Sequence, residues 1–247
     1  MYYITIVIPV FKALSYIDNA LSSLCGKIKF EVVIVIDDQA SISDYQNVIS
    51  GQEFPIRILR NSKNMGVTFS RNKGYFFSQG RIVLFLDADD ELTVTVDELW
   101  ASMINSNAQL YLFKCVDARD SSIGTPSVYE GSETDVLELV RMNKRGERLL
   151  AVKKQTCSKP PFIGSTRGHE MAGLLRFSNS IPNFKLLYSP VAARRYRDVN
   201  DESLSMRRFE HSKSLALGHY IVGRELLRRN KVICLLWLLK ACFRRWL

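Results

Sequence analysis

An α/β architecture, a doubly wound and mostly parallel sheet, is what this sequence encodes, on three grounds. Short, near-continuously apolar segments rich in β-branched residues alternate with segments of helical periodicity through roughly the first ninety residues. Strands that are apolar on both faces belong to sheets covered by helices on both sides. These strands also end in polar or acidic residues, and open sheets of this kind bind ligands beyond the carboxyl ends of their strands.

The elements follow in order. Tyr3-Ile-Thr-Ile-Val-Ile-Pro-Val10 reads as a first buried strand. Leu14, Ile17, Leu21 and Leu24 recur at helical spacing and predict a helix over 13–24. Phe30 to Ile36 is a second buried strand that stops at Asp37-Asp38, completing one βαβ unit. A second cycle adds a weak helix over 43–49, a short strand over 56–59, a helix over 67–78 and a strand over 82–86.

The composition sets bounds on the class. A chain of 247 residues, 47% hydrophobic and 24% charged, with 13 Gly and 7 Pro, suits one large domain with a full core. Collagenous, low-complexity and broadly disordered classes are excluded. The five cysteines, Cys25, Cys115, Cys157, Cys234 and Cys242, are scattered and contain no C-x-x-C pair. Neither a disulfide framework nor a zinc cluster is expected, and a reducing compartment is. Met1-Tyr-Tyr-Ile-Thr lacks a basic n-region, so no secretory signal is expected.

The net charge of +9 is not spread evenly. Residues 207–247 hold ten Lys/Arg against two Asp/Glu, a surplus of eight that leaves the first 206 residues nearly neutral. The same tail contains Val232-Ile-Cys-Leu-Leu-Trp-Leu-Leu, far short of the roughly 20 apolar residues of a spanning helix. Basic residues with Trp237, Phe243 and Trp246 read as a helix lying on an anionic membrane surface. Arg224, Arg228 and Lys231 share one helical face while Lys240 and Arg244 share another, which predicts a break near Asn230. A core-packing terminal helix with a solvated basic face is the alternative. No nucleic-acid partner is expected, since no aromatic platform interleaves the charge.

The strand ends carry Pro9-Val10-Phe11, Asp37-Asp38, Asn64-Met-Gly66 and Asp87-Ala-Asp89-Asp90. One acidic residue at a strand end is commonly a cap or turn former. Three carboxylates within four residues repel one another unless a cation offsets them. Hard oxygen ligands suit Mg²⁺ or Mn²⁺, held by one or two carboxylates and completed by substrate phosphates, which implies a diphosphate. The segment Asp87 to Leu92 lacks the glycine and distal glutamate of an EF-hand, and no Walker A or G-x-G-x-x-G motif occurs. Phosphate charge then falls to the metal and to Lys/Arg, with Arg71 and the basic residues after Ser205 as candidates.

Four motifs in order resemble the family 2 glycosyltransferases, nucleotide-sugar-dependent enzymes of the GT-A fold. They are Ile6-Val-Ile-Pro-Val-Phe11 ("IVIPVYN"), Val33-Ile-Val-Ile-Asp37-Asp38 ("IIVVDDGS"), Asn64-Met-Gly66 through Ser70-Arg71-Asn72-Lys-Gly74 ("N-x-G-x-x-x-ARN-x-G") and Phe85-Leu-Asp87-Ala-Asp89-Asp90 ("FLDADD"). They cover residues 3 to about 95. The resemblance implies that Pro9, Phe11 and Arg71 line the nucleoside pocket and that Asp38 accepts from the uracil imide. Asp87 to Asp90 correspond to the D-x-D element, with Asp87 toward the ribose, Asp89 the favoured metal ligand and Asp90 the other candidate. Gln39-Ala40 replace the usual Gly-Ser.

The family also places an acidic pair before a Leu-Leu-Arg-like helix, its second acid the catalytic base. Gly168-His169-Glu170-Met-Ala-Gly-Leu174-Leu175-Arg176 fits that spacing and makes Glu170 the base candidate, beside His169. A glutamate there also suits the first turn of a helix on dipole grounds alone. Tyr196-Arg197-Asp198 and Asn200 to Ser205 are similar to the family's closing loop, and Arg207, Arg208 and His211 follow it.

The resemblance implies three regions: a nucleotide-sugar-binding half over 1–110, an acceptor-binding half with the base over 111–206, and C-terminal helices over 207–247. It implies an inverting, Mn²⁺- or Mg²⁺-dependent hexosyl transfer from a UDP-sugar to a lipid-linked glycan in bacterial surface polysaccharide synthesis. Such an enzyme would be cytoplasmic and peripheral on the inner face of the membrane. A noncatalytic nucleotide-sugar-binding or scaffold protein of the same fold is the alternative, because the acidic pair is incomplete.

Overall fold

The computed structural model describes residues 1–124, 130–138, 140, 147–154, 159–166, 169–196, 212–227 and 231–245. Strands β1 (Ile4–Val10), β2 (Phe30–Ile36), β3 (Ile56–Arg60) and β4 (Ile82–Phe85) alternate with helices α1 (Ile17–Ser22), α2 (Ile42–Ile49) and α3 (Val67–Phe77). They pair in the order β3-β2-β1-β4, all parallel. The predicted strands and the two later helices stand within a residue or two of their expected bounds.

The first helix is shorter than its 13–24 expectation. Lys12 takes a left-handed φ of 54° and its backbone N–H donates to Asp38 Oδ2 at 2.5 Å, so the chain stays a loop up to Tyr16. Leu14 is therefore freed from the helix stripe and is 39% exposed.

Beyond β4 come β5 (Glu91–Leu92), α4 (Val96–Ile104), β6 (Leu110–Val116), β7 (Glu133–Thr134), β8 (Arg148–Lys153), α5 (Glu170–Asn179) and β9 (Leu186–Arg195). The sheet continues from β4 as β8-β6-β9-β5, with β7 on β9. β8 runs antiparallel between β4 and β6, while β6 and β9 are parallel. The first half of the sheet is thus parallel and the second half mixed, a difference that apolar runs do not encode.

Alternation along the buried strands sorts the core into two layers. Ile4, Ile6, Ile8, Val32 and Ile34 face Leu21 of α1 and Leu99 of α4. Val7, Val33, Val35, Val83 and Phe85 face Tyr75 of α3 and Leu174 and Leu175 of α5. The second layer is completed by α6 (Ser212–Leu226) and α7 (Lys231–Arg245), through Val222, Leu226, Cys234 and Trp237. Two separate helices meet the expectation of a break near Asn230. No described helix is long and apolar enough to cross a membrane. Cys25, Cys115, Cys234 and Cys242 are free thiols.

Candidate active site

The carboxyl ends of β1 and β2 open onto a cleft of about 510 Å³ lined by Phe11, Lys12, Leu14, Asp38, Gln39, Ala40 and Asn64. Both oxygens of Asp38 are used to shape it: Oδ2 accepts from Lys12 N and Oδ1 from Ala40 N at 2.8 Å. Phe11, 46% exposed, offers its ring to the cleft as a stacking face. Pro9 stands within β1 opposite Val35, outside the lining residues. A larger cleft of about 1010 Å³ around Tyr2, Lys27, Phe30, Pro55 and Gln79 lies at the opposite, amino ends of the strands.

Asp37, the neighbour of Asp38, has a different task that the sequence does not show. It is buried and accepts from Asn61 Nδ2, Met65 N and Gly66 N, each at 2.7 Å. This fixes the turn into α3, where Gly66 caps the helix at φ 87°, a conformation that favours glycine. Gly74 of α3 then lets the helix press on β1, since a Cβ there would lie 2.3 Å from Val7 Cγ1.

That docking aims Arg71 inward rather than into the Phe11–Asp38 cleft. Thr68, Arg71 and Tyr75 share the buried face of α3, and the Arg71 side chain is 9% exposed. Its Nη2 donates to Asp87 Oδ1 at 2.5 Å and its Nη1 donates to Glu170 Oε1. One guanidinium therefore bridges residues 87 and 170, which share no other element. The bridge is held from below: Asn72 exchanges two hydrogen bonds with the backbone of Phe162, whose carbonyl also accepts from Arg176 of α5. Glu170 opens the first turn of α5 and its side chain is 43% exposed, so its second oxygen faces a route from solvent.

The three aspartates after β4 are sorted by two buried arginines. Arg194 of β9, 4% exposed, lies 3.6 Å from Asp87 Oδ2, 3.2 Å from Asp90 Oδ2 and 3.5 Å from Glu147 Oε2. Asp90 is itself 1% exposed and so is committed to the interior. Burial alone would raise the Asp87 pKa, but Arg71 and Arg194 outweigh it and hold the carboxyl below its usual range. Burial, and next the charge of Asp87, push the Asp89 carboxyl above its usual range. Among the described residues no Lys or Arg pairs with Asp89. Both guanidiniums are pushed up and stay charged, because their acid partners outweigh burial.

In the loop before α1, the Tyr16 hydroxyl pKa is raised by burial, then by the charges of Asp89 and Asp38. His169 caps α5 and turns into the interior at 4% exposure, away from the cleft. Tyr196 is the last described residue of β9's end; Arg197 to Ser205, Arg207, Arg208 and His211 lie outside the described residues. Among the described residues no group of three His, Cys, Asp or Glu side chains is arranged to hold a metal alone.

The sequence profile described as glycosyl transferase family 2 matches residues 5–168, which take in β1 to β8 and all four strand ends. The chain belongs to this family. A protein of Haemophilus influenzae described as an uncharacterised glycosyltransferase is 26% identical over 157 residues, covering 62% of this chain. The match spans about half, 53%, of that relative's own length. Among solved structures, S. aureus TarS 1–349 in complex with UDP-GlcNAc superposes with a TM-score of 0.72 at 15% identity, over 99% of this chain and 72% of that one. The mannosyltransferase PcManGT of Pyrobaculum calidifontis, in complex with GDP-Man and Mn²⁺, gives 0.58 at 13% identity, over 94% and 66%. These likenesses show the fold, the GT-A arrangement that family 2 members adopt. The family profile ends two residues short of Glu170.

Proposed function

We propose that this family 2 member transfers a hexosyl group from a UDP-sugar to a hydroxyl of a glycan acceptor with inversion at the anomeric carbon. The observation that carries the reading is the Arg71 bridge, which brings an acid of the strand-end cluster and the first residue of α5 to one guanidinium across 99 residues of chain. Phe11 stacks on the uracil and Asp38 accepts from its imide. Asp87 is held ionised and faces the ribose side.

The donor set fits a divalent ion. Asp89 is a hard oxygen donor beside the ionised Asp87 and makes no ion pair among the described residues, which leaves it available to a divalent cation. Asp89 would hold Mn²⁺ or Mg²⁺ together with substrate phosphates, while Asp90 is already neutralised by Arg194. When bound, the ion supplies charge to the diphosphate leaving group.

Glu170 takes the proton of the acceptor hydroxyl. Arg71 fixes one of its oxygens, which orients the other toward solvent, and a fixed base within hydrogen-bond reach is worth roughly 10²–10⁴ in rate. With Glu170 as base, the reaction is a single in-line displacement in which the acceptor oxygen bonds to the anomeric carbon as the diphosphate leaves. The basic C-terminal segment supports a lipid-linked acceptor met at the inner face of a bacterial membrane, as in surface polysaccharide synthesis.

The test combines donor binding and turnover. Thermal shift with UDP, GDP and dTDP, each with and without Mn²⁺, is expected to show metal-dependent stabilisation by UDP. Asp89→Ala abolishes that stabilisation, and Glu170→Gln keeps it while losing transfer. Near-normal turnover in Glu170→Gln would remove Glu170 as base, and metal-dependent UDP binding without transfer to any acceptor would favour a noncatalytic nucleotide-sugar-binding protein.

A further inference from the structure

Helix α7 is apolar on two faces and, among the described residues, has a partner on only one. Its inner face buries Cys234, Trp237 and Ala241, and Leu238 fits against Gly223 of α6, where a Cβ would lie 2.7 Å from Leu238 Cδ2. Its outer face presents Val232, Leu235, Leu236 and Leu239 at 72%, 59%, 55% and 46% exposure. These four stand at i, i+3, i+4 and i+7, the spacing of one continuous stripe, where a surface helix ordinarily carries polar residues. A contiguous apolar patch of this kind marks an interaction surface.

Charge selects the occupant. The segment 207–247 that carries the stripe holds ten Lys/Arg and two Asp/Glu. Two copies meeting through this face would bring like charges together, whereas an anionic lipid surface is attracted by each of them. Lys240, exposed at the end of the stripe, lays its ammonium 4.6 Å over the Trp237 ring. The 15 residues of α7 span about 22 Å, less than the roughly 30 Å of a bilayer core, so the helix suits the plane of the interface.

The inner face of the same helix packs on the residue that precedes Glu170. Trp237 packs 5.8 Å from the ring of His169 and 5.1 Å from that of His219, and a Cβ on Gly218 of α6 would lie 2.4 Å from His169. His169 directly precedes Glu170 in the first turn of α5. The outer stripe and the residue that precedes Glu170 therefore lie on opposite sides of α7, with Trp237 between them.

We infer that the outer face of α7 docks on a bilayer containing anionic phospholipid and so holds the protein beside acceptors carried in that bilayer. The delivery rests on the transferase reading above; the docking stands without it. The experiment uses the full chain, floated with vesicles of three parts phosphatidylcholine to one part phosphatidylglycerol and with vesicles of pure phosphatidylcholine, at low and high salt. The variant is Leu235→Ser/Leu236→Ser/Leu239→Ser, whose exposed positions leave the core untouched, with UDP binding and melting temperature as controls. Wild type is expected to float with the anionic vesicles, less so at high salt, and the triple variant to bind at least about tenfold more weakly with UDP binding and melting unchanged. Metal-dependent UDP binding without flotation would overturn the docking and leave the donor reading intact. Flotation without binding of any nucleoside diphosphate would support the docking and sink the donor reading. Equal binding to both vesicle types, or a wild-type dimer that the triple variant dissolves, would overturn the proposal.

Discussion

Arg71 is where the electrostatics of the site can be tested most directly. Arg71→Ala removes a buried cation shared by Asp87 and Glu170. Deleting one partner of a buried ion pair costs roughly 3–5 kcal/mol. Two features soften this: the Glu170 side chain is 43% exposed and can rehydrate, and Asp87 keeps Arg194 at 3.6 Å. The expected loss is about 2–3 kcal/mol, a fall in Tm of roughly 5–10 °C for a chain of this size. Arg71→Lys, with a single ammonium in place of the fork, restores about half of it. Urea unfolding followed by tryptophan fluorescence measures each variant, and a double-mutant cycle with Glu170→Gln should return a coupling of about 1 kcal/mol. The acid limb gives an independent readout. Asp87 is held below its usual range when folded, so its contribution is present above the unfolded value near 4 and is lost as pH falls through the folded one. Wild-type stability therefore declines below about pH 4, and Arg71→Ala, with one of the two cations gone, should decline less steeply. A variant within about 0.5 kcal/mol of wild type, or one with a steeper acid limb, refutes the bridge as a stabilising element.

Three further outcomes are expected. Asp37→Ala strips three donors of their carboxylate and should cost about 3 kcal/mol in urea unfolding, whereas Asp38→Ala should mainly weaken UDP binding in calorimetry. Lys12→Asn relieves a left-handed lysine and should stabilise by about 0.5 kcal/mol, with no change if the loop relaxes instead. Asp89→Asn removes a carboxylate that burial and Asp87 disfavour, so the metal-free melting temperature should rise while Mn²⁺ no longer adds to it; a fall in the metal-free value would mean that Asp89 is held by a cation of the protein.

The parallel half of the fold was legible because doubly buried strands write themselves as unbroken apolar runs, as Ile4–Val10 and Phe30–Ile36 do. The insertion of β8 between β4 and β6 was not, since pairing partners 69 positions apart, such as Val83 and Val152, have no local signature. At the site, Asp38, Asp87, Asp89 and Glu170 could be named from the resemblance of their motifs to the family, but their neutralisation could not. Whether Asp90 is free or buried depends on Arg194, and β9 ends in two arginines of which alternation turns one in and one out to Asp120 and Glu91. Arg71 did leave a signal: Thr68, Arg71 and Tyr75 stand at the spacing of the inward face of α3, which argues for a buried cation over a pocket wall. The double role of Asp37-Asp38, one acid tying the chain and the other facing the cleft, follows from strand alternation only once the register of β2 is known.

The late arrival of β8 has a consequence during synthesis. Until residues 148–153 leave the ribosome, Ile82–Phe85 and Leu110–Val116 each present a bare, apolar hydrogen-bonding edge that nothing earlier in the chain can cover. The nascent chain must wait through some thirty residues of translation after its sixth strand with both edges open, the condition under which premature strand exchange between neighbouring chains on a polysome is most favoured.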